Sequence, residues 1–427
     1  MTWQHPEGGF GGGPGQAPHL LPTYASVCSL AIAGRPGLGG GWDQIDREGM
    51  YNFFMSLKQP DGSFLVAKHA EVDVRGIYCL LTTAALLDML TPELVAGTAG
   101  FLASCQTYEG GFASSSHPSY SIPVPPPGSD GAYHLAAHPE VLPSPRPPLG
   151  EAHGGYTFCA LAGWVLLLPF TNSQRNASSN SPALKINTSN LLRWLVHMQG
   201  IPLELGGFKG RTNKLVDGCY SWWCGGSFAL LEALGIGGLQ NAQSDEVPID
   251  TEGDAWMDVD DELYNQKALQ EYILYAGQHP AGGLRDKPPK NADAYHTLYC
   301  LSGLSSAQHH VFPSTVRRDQ VETSWPSPKT EESSDDDAAT PGPPPVNHPH
   351  FQNRDENLRK QVFSALLSWT EEEGAARIVG GAANRLNATH PVTNLTITHT
   401  EGIMSHFYGK KVPERPRAQP QGAGARS

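Results

Sequence analysis

The stretch Pro60-Asp-Gly-Ser-Phe64 is a glycine turn between two segments with helical spacing. Related turns recur at Pro6–Phe10, Glu109–Phe112, Leu205–Phe208 and, with leucine in place of phenylalanine, Ala281–Leu284. Each turn precedes a helix-like segment, and the last four along the chain also follow one, which is the pattern of a repeat built from two helices. The sequence therefore predicts an all-α fold in which outer helix, glycine turn and inner helix alternate.

The two kinds of segment differ in how widely apolar residues are spread around the helix. The segments before the turns have one apolar stripe, and they are Arg47–Leu57, Pro92–Cys105, Asn190–Gln199 and Glu262–Gln278. The segments after the turns are more apolar and are expected to begin near Thr23, Val74, Gly155, Gly218 and Ala294, and Tyr156–Leu168 is apolar nearly all round. Such a repeat closes into an α/α toroid around a central cavity, and we expect one domain over residues 1–427.

Three segments interrupt the repeat. Residues 114–150 are rich in Pro, Ser and His, residues 238–261 are acidic, and residues 316–352 combine an acidic run with a proline run. Their composition is typical of surface insertions. Residues 413–427 are expected to form a polar, disordered tail.

The net charge and the lengths of the apolar runs limit the partners and the cellular location that we expect. A formal net charge of −13 argues against nucleic acid as a partner, because affinity for the phosphate backbone comes from clustered Lys and Arg. The N-terminal residues have no leader-like pattern and no run of eighteen apolar residues occurs. We therefore expect a cytoplasmic protein without a transmembrane segment. The seven cysteines are scattered through apolar segments, as small buried residues rather than a disulfide framework.

In a toroid of this kind the first turns of all inner helices lie on one rim of the barrel. The polar residues expected there are His19, Arg75, His153, Asp217, Cys219 and His296. Helix capping explains an Asp at such a place, but it does not explain several His, Arg and Cys at equivalent positions. The pattern favours a functional rim.

Asp217, Cys219 and His296 are the candidate metal ligands on this rim. Carboxylate, thiolate and imidazole form a donor set suited to zinc, and three protein ligands leave one coordination position open, as in catalytic sites. By spacing alone, a buried histidine without any metal remains an alternative.

Cations and aromatic residues surround these three positions in the sequence. Arg211 and Lys214 precede Asp217 closely, and His153 and Tyr220 are expected on the same rim, which suits a diphosphate at helix N-termini. The aromatic residues nearby are Tyr24, Tyr78, Tyr156, Trp222, Trp223 and Tyr299. They indicate a cavity for a long apolar ligand, although an aromatic core is the better interpretation for Trp222. A metal, a diphosphate site and an apolar cavity together predict prenyl transfer.

Several motifs resemble those of the protein farnesyltransferase β-subunit family. They are Pro6–Gln16, Lys58–Phe64, Glu71–Arg75, His153-Gly-Gly-Tyr-Thr-Phe-Cys159, Asn213-Lys-Leu-Val-Asp-Gly-Cys-Tyr220, Leu269–Leu274, Gly282–Pro288, Tyr295–Ser305 and Thr389–Val392. The similarity extends over about residues 4–310, apart from the insertions.

The resemblance implies a role for each matching residue. Asp217, Cys219 and His296 would bind Zn²⁺, and Asp286 would help to place Mg²⁺ on the diphosphate. His153, Arg211, Lys214 and Tyr220 would bind the diphosphate of farnesyl diphosphate. The isoprenoid would contact Arg75, Tyr156, Cys159 and Trp223, together with the aromatic residues Tyr24, Tyr78 and Tyr299. The CaaX peptide, whose cysteine receives the farnesyl group, would lie along His19, Leu21, Arg75 and Tyr295.

The resemblance also implies farnesyl rather than geranylgeranyl transfer and a helical-repeat α subunit as partner in a heterodimer. In the geranylgeranyl enzymes a less obstructing residue replaces Tyr299, and a lysine takes the place of Asp286 in the type I enzymes. The family has further N-terminal helices, so the resemblance predicts that this sequence is truncated, and Leu21 replaces a smaller residue. The alternatives are a geranylgeranyl enzyme, a non-catalytic barrel that only binds a partner, and a terpenoid cyclase using Asp258-Val-Asp-Asp261.

Overall fold

The structure is a computed structural model. It describes residues 4–118, 120–121, 140–141, 147–177, 184–236, 263–325, 349–352 and 354–415. The predicted insertion at 238–261, with its Asp-Val-Asp-Asp motif, lies outside these residues, as does most of 114–150.

Helices dominate the described residues, as predicted. They are α1 (Leu20–Ala33), α2 (Arg47–Leu57), α3 (Val74–Leu86), α4 (Pro92–Val95), α5 (Thr98–Ser104), α6 (Gly154–Ala177), α7 (Thr188–Val196), α8 (Tyr220–Trp223), α9 (Ser227–Glu232), α10 (Gln266–Glu271), α11 (Ala294–Gln308), α12 (Thr315–Thr323), α13 (Pro349–Gln352), α14 (Glu356–Leu367) and α15 (Ile397–Tyr408). A π-helical turn, Tyr272–Gly277, continues α10. The antiparallel strand pairs are β1 (Ser115–Ser116) with β4 (Pro148–Leu149), β2 (Tyr120–Ser121) with β3 (Glu140–Val141), and β5 (Val311–Pro313) with β6 (Trp369–Glu371).

The repeated glycine turns have one common geometry. An isolated antiparallel bridge closes each of them, as between Lys58 and Phe64 and between Gln106 and Phe112. Gly62 and Gly110 both have positive φ, at 82° and 114°, which disfavours any residue with a side chain. A Cβ on Gly110 would also lie 2.1 Å from the carbonyl oxygen of Asn190 in α7. Gly8, Gly62 and Gly110 therefore recur because these turns pack directly on the backbone of a following helix.

The inner helices pack side by side in chain order. Helix α1 contacts α3, α3 contacts α6, α6 contacts α8, and α8 contacts α11, while α15 contacts both α1 and α3. Residues on the inner side of this arrangement, such as Leu20, Ile77 and Phe158, are fully buried. The predicted α/α toroid is therefore confirmed, with a core continuous along the series of inner helices.

Helix α6 is long and apolar enough to cross a membrane by length and composition alone. However, 78% of the apolar window in Gly154–Ser173 is buried by the rest of the protein. Helix α6 contacts α3, α5, α8, α9 and α14. Contacts on so many sides make it a core helix of the toroid, which explains why it is apolar nearly all round.

The structure divides two predicted helices. The predicted Pro92–Cys105 helix is interrupted at Gly97, whose φ is 81°, so that α4 and α5 are separate. The helix expected from Gly218 becomes α8 and α9, because Cys224, Gly225 and Gly226 separate them. Gly225 has no room for a side chain beside the carbonyl oxygen of Ser221. Both breaks use glycine where the chain must turn between closely packed neighbours.

Two predicted boundaries were wrong. The third insertion was expected from residue 316, but α12 occupies Thr315–Thr323 and packs on α14, with Val321 buried. The polar tail was expected from residue 413, but Arg415 donates to Glu401 and to the carbonyl oxygen of Trp369. The polar composition predicted loop or tail in both places, but these residues contact α14 and α15 through a few apolar and charged side chains.

His310 connects two parts of the chain that are distant in sequence. Its Nδ1 lies 2.6 Å from Glu372 Oε2 and its Nε2 lies 2.9 Å from Glu232 Oε2, while its ring stacks on Phe312. The hydrogen bond with Glu232, followed by the one with Glu372, raises the pKa of His310 to about 9 against the opposing effect of burial. The imidazolium thus joins the end of α9 to the segment after β6.

We predict that His310→Gln lowers the free energy of unfolding by about 0.5 to 1 kcal/mol near neutral pH, the range for partly exposed ion pairs. Because the folded pKa is raised, this stabilisation is complete below the unfolded pKa of about 6.5 and is lost as pH rises through about 9. Denaturant unfolding of wild type and variant from about pH 6 to 10 should show the two curves converging at the alkaline end. His197→Gln, which loses only a contact with the carbonyl oxygen of Arg193, is the control and should show no such convergence.

Candidate metal centre and anion site

Polar side chains at the rim cap the inner helices. His19 Nδ1 accepts from the N–H of Leu21, and His153 Nδ1 accepts from the N–H of Gly155. The carboxylates of Asp73, Asp217 and Asp293 accept from backbone N–H groups in the same way. Capping therefore accounts for histidine as well as aspartate at these positions. A capping histidine still has its second ring nitrogen free to face the rim.

Asp217, Cys219 and His296 come together at the meeting of α8 and α11. One ligand atom of each lies within 4.8 Å of the others, and His296 Nε2 is 3.2 Å from Asp217 Oδ1. Burial, followed by the Asp217 carboxylate, raises the pKa of the Cys219 thiol well above its usual value. A bound cation would offset that cost, because it stabilises the thiolate and the carboxylate together. The donor set and its spacing fit a divalent metal ion.

His153 and Tyr220 form the second part of the rim site. His153 Nε2 lies 3.0 Å from the Tyr220 hydroxyl oxygen. Burial, followed by the charges of Arg211 and Arg75, lowers the pKa of His153 to about 4, so the ring is neutral at pH 7. Since Nδ1 accepts the Gly155 N–H, the single proton resides on Nε2 and is donated to Tyr220. Burial raises the pKa of Tyr220, so its own O–H remains available to another acceptor.

Arg211 and Lys214 lie in the loop that leads to α8, as does Lys209 next to the glycine turn. Arg211 Nη1 is 2.5 Å from Glu151 Oε1, and the Lys214 N–H donates to the carbonyl oxygen of Arg211. Both side chains extend from the segment between the Leu205–Phe208 turn and the Asp217 cap. The structure therefore places positive charge beside the His153–Tyr220 pair, at the N-termini of α6 and α8, where the helix dipole also favours an anion.

Aromatic rings continue from the three candidate metal ligands into the barrel. Trp223 Nε1 donates to the Tyr295 hydroxyl at 3.0 Å, and the Trp223 and Tyr299 rings are 4.3 Å apart. Tyr295 also lies against the His296 ring, and Phe158 joins Trp223 on the far side. Trp222 is fully buried, in agreement with its interpretation as a core residue. Apolar surface is thus continuous with the candidate metal ligands.

Tyr24 and Tyr78 contact the segment that precedes α15. Tyr24 donates to the carbonyl oxygen of Thr393, and Tyr78 donates to that of Val392. Cys159, in α6, is buried, and burial raises its thiol pKa. Hydrogen bonds to the backbone therefore hold the two tyrosines in place, and Cys159 is held by its packing in the core.

The remaining predicted residues lie at the edge of the rim. Arg75 makes a two-pronged ion pair with Asp73 and lies over the Tyr156 ring, 5.4 Å from its centre. Leu21, in the first turn of α1, is partly buried against the core. Asp286 pairs through Oδ1 with Lys287 Nζ at 2.5 Å, and its carbonyl oxygen accepts from Gly218 in the metal-ligand segment.

Comparison with known families identifies the repeat. The Prenyltransferase alpha-alpha toroid domain matches residues 1–395. The chain belongs to this prenyltransferase toroid family. Among solved structures, the chain is similar to Candida albicans protein geranylgeranyltransferase-I complexed with GGPP, at 21% identity over 68% of this chain and 67% of that chain, with a TM-score of 0.43.

Curated prenyltransferase relatives agree with the resemblance in the motifs. The chain is 36% identical to the protein farnesyltransferase subunit beta of Pisum sativum over 72% of its own length and 70% of the relative. It is 38% identical to that of Schizosaccharomyces pombe, covering 70% and 62%, and 40% identical to that of Saccharomyces cerevisiae, covering 71% and 54%. The chain thus spans roughly half to two thirds of the length of most of these relatives. The predicted similarity to farnesyltransferase β subunits is confirmed.

Three acidic residues of the prenyltransferase rim were missed from the sequence. Asp293 accepts from the His296 backbone and contacts His296 Nδ1 at 2.6 Å. Asp73 fixes Arg75, and Glu151 pairs with Arg211. Asp73 and Asp293 sit one to three positions before a predicted site residue, at the N-cap, so the capping pattern could have found them. Glu151 carries no such signal, because its partner comes from another repeat.

We predict that Asp293→Asn weakens metal binding about 10- to 100-fold, because a partner on Nδ1 orients the histidine and leaves Nε2 to the metal. Titration with Co²⁺, followed by its thiolate charge-transfer absorption, measures this affinity directly. Asp46→Asn is the matched control, since Asp46 caps α2 through the N–H of Gly49 and lies in an outer helix. Equal Co²⁺ affinities in the two variants would show that Asp293 acts only as a cap.

Proposed function

We propose that this chain is the catalytic β subunit of a protein farnesyltransferase, which transfers farnesyl from farnesyl diphosphate to the cysteine thiol of C-terminal CaaX motifs. The observation that carries the proposal is the juxtaposition of an Asp-Cys-His cluster with the His153–Tyr220 pair and the Trp223–Tyr299 aromatic surface. Prenyl transfer requires a nucleophile, a bound leaving group and an apolar site close together. The farnesyltransferase β subunits at 34–40% identity support the same reaction.

Asp217, Cys219 and His296 suit zinc, which prefers sulfur, nitrogen and carboxylate ligands in a four-coordinate site. Bound there, zinc would supply Lewis acidity that lowers the pKa of a substrate thiol. Asp293 holds the His296 ring so that Nε2 faces Asp217. We propose that Asp286, whose carbonyl oxygen accepts from Gly218, helps to place Mg²⁺ on the diphosphate.

The residues around His153 would bind the diphosphate and stabilise the charge that develops on it. Neutral His153 donates to Tyr220, which directs the tyrosine O–H towards another acceptor. Arg211 supplies positive charge that acts on that hydroxyl, and Lys214, from the same loop, would add to it. Charge accumulates on the diphosphate as the bond to C1 of the isoprenoid breaks, so donors fixed in advance lower the barrier.

The farnesyl chain would extend from this anion site along Trp223, Tyr299 and Tyr156. The Tyr299 ring contacts those of Trp223 and Tyr295, and from this position it would limit the length of the chain. The CaaX peptide would approach along His19, Leu21, Arg75 and Tyr295, the last of which contacts both His296 and Trp223. The geranylgeranyl transferase subunits are less similar, at 27% and 25% identity, which supports farnesyl transfer over geranylgeranyl transfer.

By the same similarity, the active enzyme would be a heterodimer with an α subunit. A barrel that only binds its partner remains the second candidate, and it requires neither metal nor diphosphate binding. Co-expression with the α subunit tests both, for this chain and for a form extended upstream.

We predict that the heterodimer contains about one zinc ion and transfers farnesyl in preference to geranylgeranyl to CaaX peptides. Cys219→Ala should lose zinc and reduce transfer more than about a hundredfold. Cys105→Ala removes a buried thiol that donates to the carbonyl oxygen of Phe101 in an outer helix, so zinc and transfer should be retained. A folded heterodimer of the extended form without zinc and without transfer would refute the enzyme and leave the partner-binding barrel.

We further predict that Tyr299→Ala shifts the preference towards the longer geranylgeranyl chain by about tenfold or more, because it removes a ring from the end of the aromatic surface. The measurement is the ratio of kcat/KM for the two diphosphates. Tyr275→Ala truncates an exposed tyrosine in the π-helical turn and should leave the ratio unchanged. An unaltered ratio in Tyr299→Ala would exclude Tyr299 as the determinant of chain length.

A further inference from the structure

The ion pair between Arg211 and Glu151 connects the two segments that carry the anion site. Glu151 lies two positions before His153, and Arg211 lies in the loop before Tyr220. The Arg211 side chain is 38% exposed and that of Glu151 is 52% exposed, and the distance from Arg211 Nη1 to Glu151 Oε1 is 2.5 Å. A carboxylate therefore holds the one arginine that the proposed function assigns to the diphosphate.

The backbone around this ion pair is fixed on both sides. The Gly154 N–H donates to the carbonyl oxygen of Gly210 at 2.8 Å, and Thr212 Oγ1 donates to Glu109 Oε2 at 3.0 Å. Gly210 has no space for a side chain, since a Cβ there would lie 1.9 Å from the Tyr220 ring. The loop backbone is thus held against the Tyr220 ring, whereas the Arg211 side chain can still change its conformation.

The charges that face this ion pair are few. Besides Arg211, Lys214 acts on the Glu151 carboxylate and Glu109 contacts Thr212, while His153 is neutral because its pKa is about 4 and Arg75 is paired with Asp73. The hydrogen bond from Arg211 lowers the pKa of Glu151, which keeps it ionised at neutral pH. Glu151 therefore offsets the charge of Arg211, which the proposed function assigns to the diphosphate.

We propose that Glu151 is a positioning residue that competes with the diphosphate for Arg211: it holds the guanidinium at the rim before the diphosphate binds and weakens the retention of inorganic diphosphate after transfer. The inference rests on the proposed function. A guanidinium has five N–H donors in a rigid fork, so Arg211 exchanges one anionic partner for another without moving its backbone. Because a diphosphate carries several negative charges, a carboxylate within ion-pair distance of its ligand repels it.

The test uses the chain in complex with its α subunit and a fluorescent farnesyl diphosphate analogue displaced by inorganic diphosphate. Glu151→Gln removes the charge and keeps the size of the side chain. We expect the Kd for inorganic diphosphate to fall about three- to tenfold, with slower dissociation, and the change to shrink as salt rises, as for exposed charges. Glu151→Ala should shift the Kd in the same direction, and thermal unfolding of both variants verifies that they fold.

Glu109→Gln is the matched control, because Glu109 is another rim carboxylate that contacts Thr212, next to Arg211, but not Arg211 itself. Its effect on the Kd should be less than twofold. Unchanged or weaker diphosphate binding in Glu151→Gln, or an equal effect of Glu109→Gln, overturns the competition. If the wild-type complex fails to bind the farnesyl diphosphate analogue at all, the proposed function itself fails; if wild type binds and only the variants show no shift, the inference alone is wrong.

Discussion

The first turn of an α-helix has backbone N–H groups that no carbonyl of the same helix can satisfy, and this constraint organises the rim of the barrel. Among the described residues, the side chains that accept from N–H groups at the starts of the inner helices are His19, Asp73, His153, Asp217 and Asp293, and Thr396 does the same at the start of α15. The requirement to cap each helix brings imidazole and carboxylate groups to the same rim. Chemistry and helix capping therefore depend on the same residues.

Capping also determines the state of the groups that it holds. When Nδ1 of His153 accepts a backbone N–H, the neutral ring must carry its proton on Nε2, which faces Tyr220. When Asp293 accepts from the His296 backbone, its second oxygen contacts Nδ1 of the same residue. In both cases a helix N-terminus fixes the orientation of a ring and the tautomer it adopts. Preorganisation of this kind matters because a flexible ring would have to be ordered at the moment of binding.

The glycine turns and the rim depend on each other. A turn glycine such as Gly110 packs on the backbone of an outer helix, which sets the distance between the outer and inner helices of one repeat. The residue after the turn then pairs with a hydroxyl from the inner helix, as Phe10 does with Thr23 and Phe112 with Thr157. These two turns are thus anchored both to an outer helix and to their own inner helix. Repeating that unit places successive helix N-termini at one level.

Periodicity and glycine spacing predicted the repeat, the starts of α2, α3 and α11, and the approximate start of α6, because these features depend on neighbours within one repeat. Composition predicted the wrong segment boundaries at α12 and at Arg415, because contacts with distant parts of the chain order these polar residues.

The sequence by itself determined the toroid, the rim and the identity of the candidate ligands, since each follows from the helical spacing, the glycine turns and the motifs present in the chain. Only the tertiary structure decided which side chains meet: Asp217 with His296, Tyr220 with His153, and Arg211 with Glu151. These contacts join different repeats, and their geometry is set by the packing of α6, α8 and α11. Local sequence carries no information about a distance between residues that only the closure of the barrel brings together.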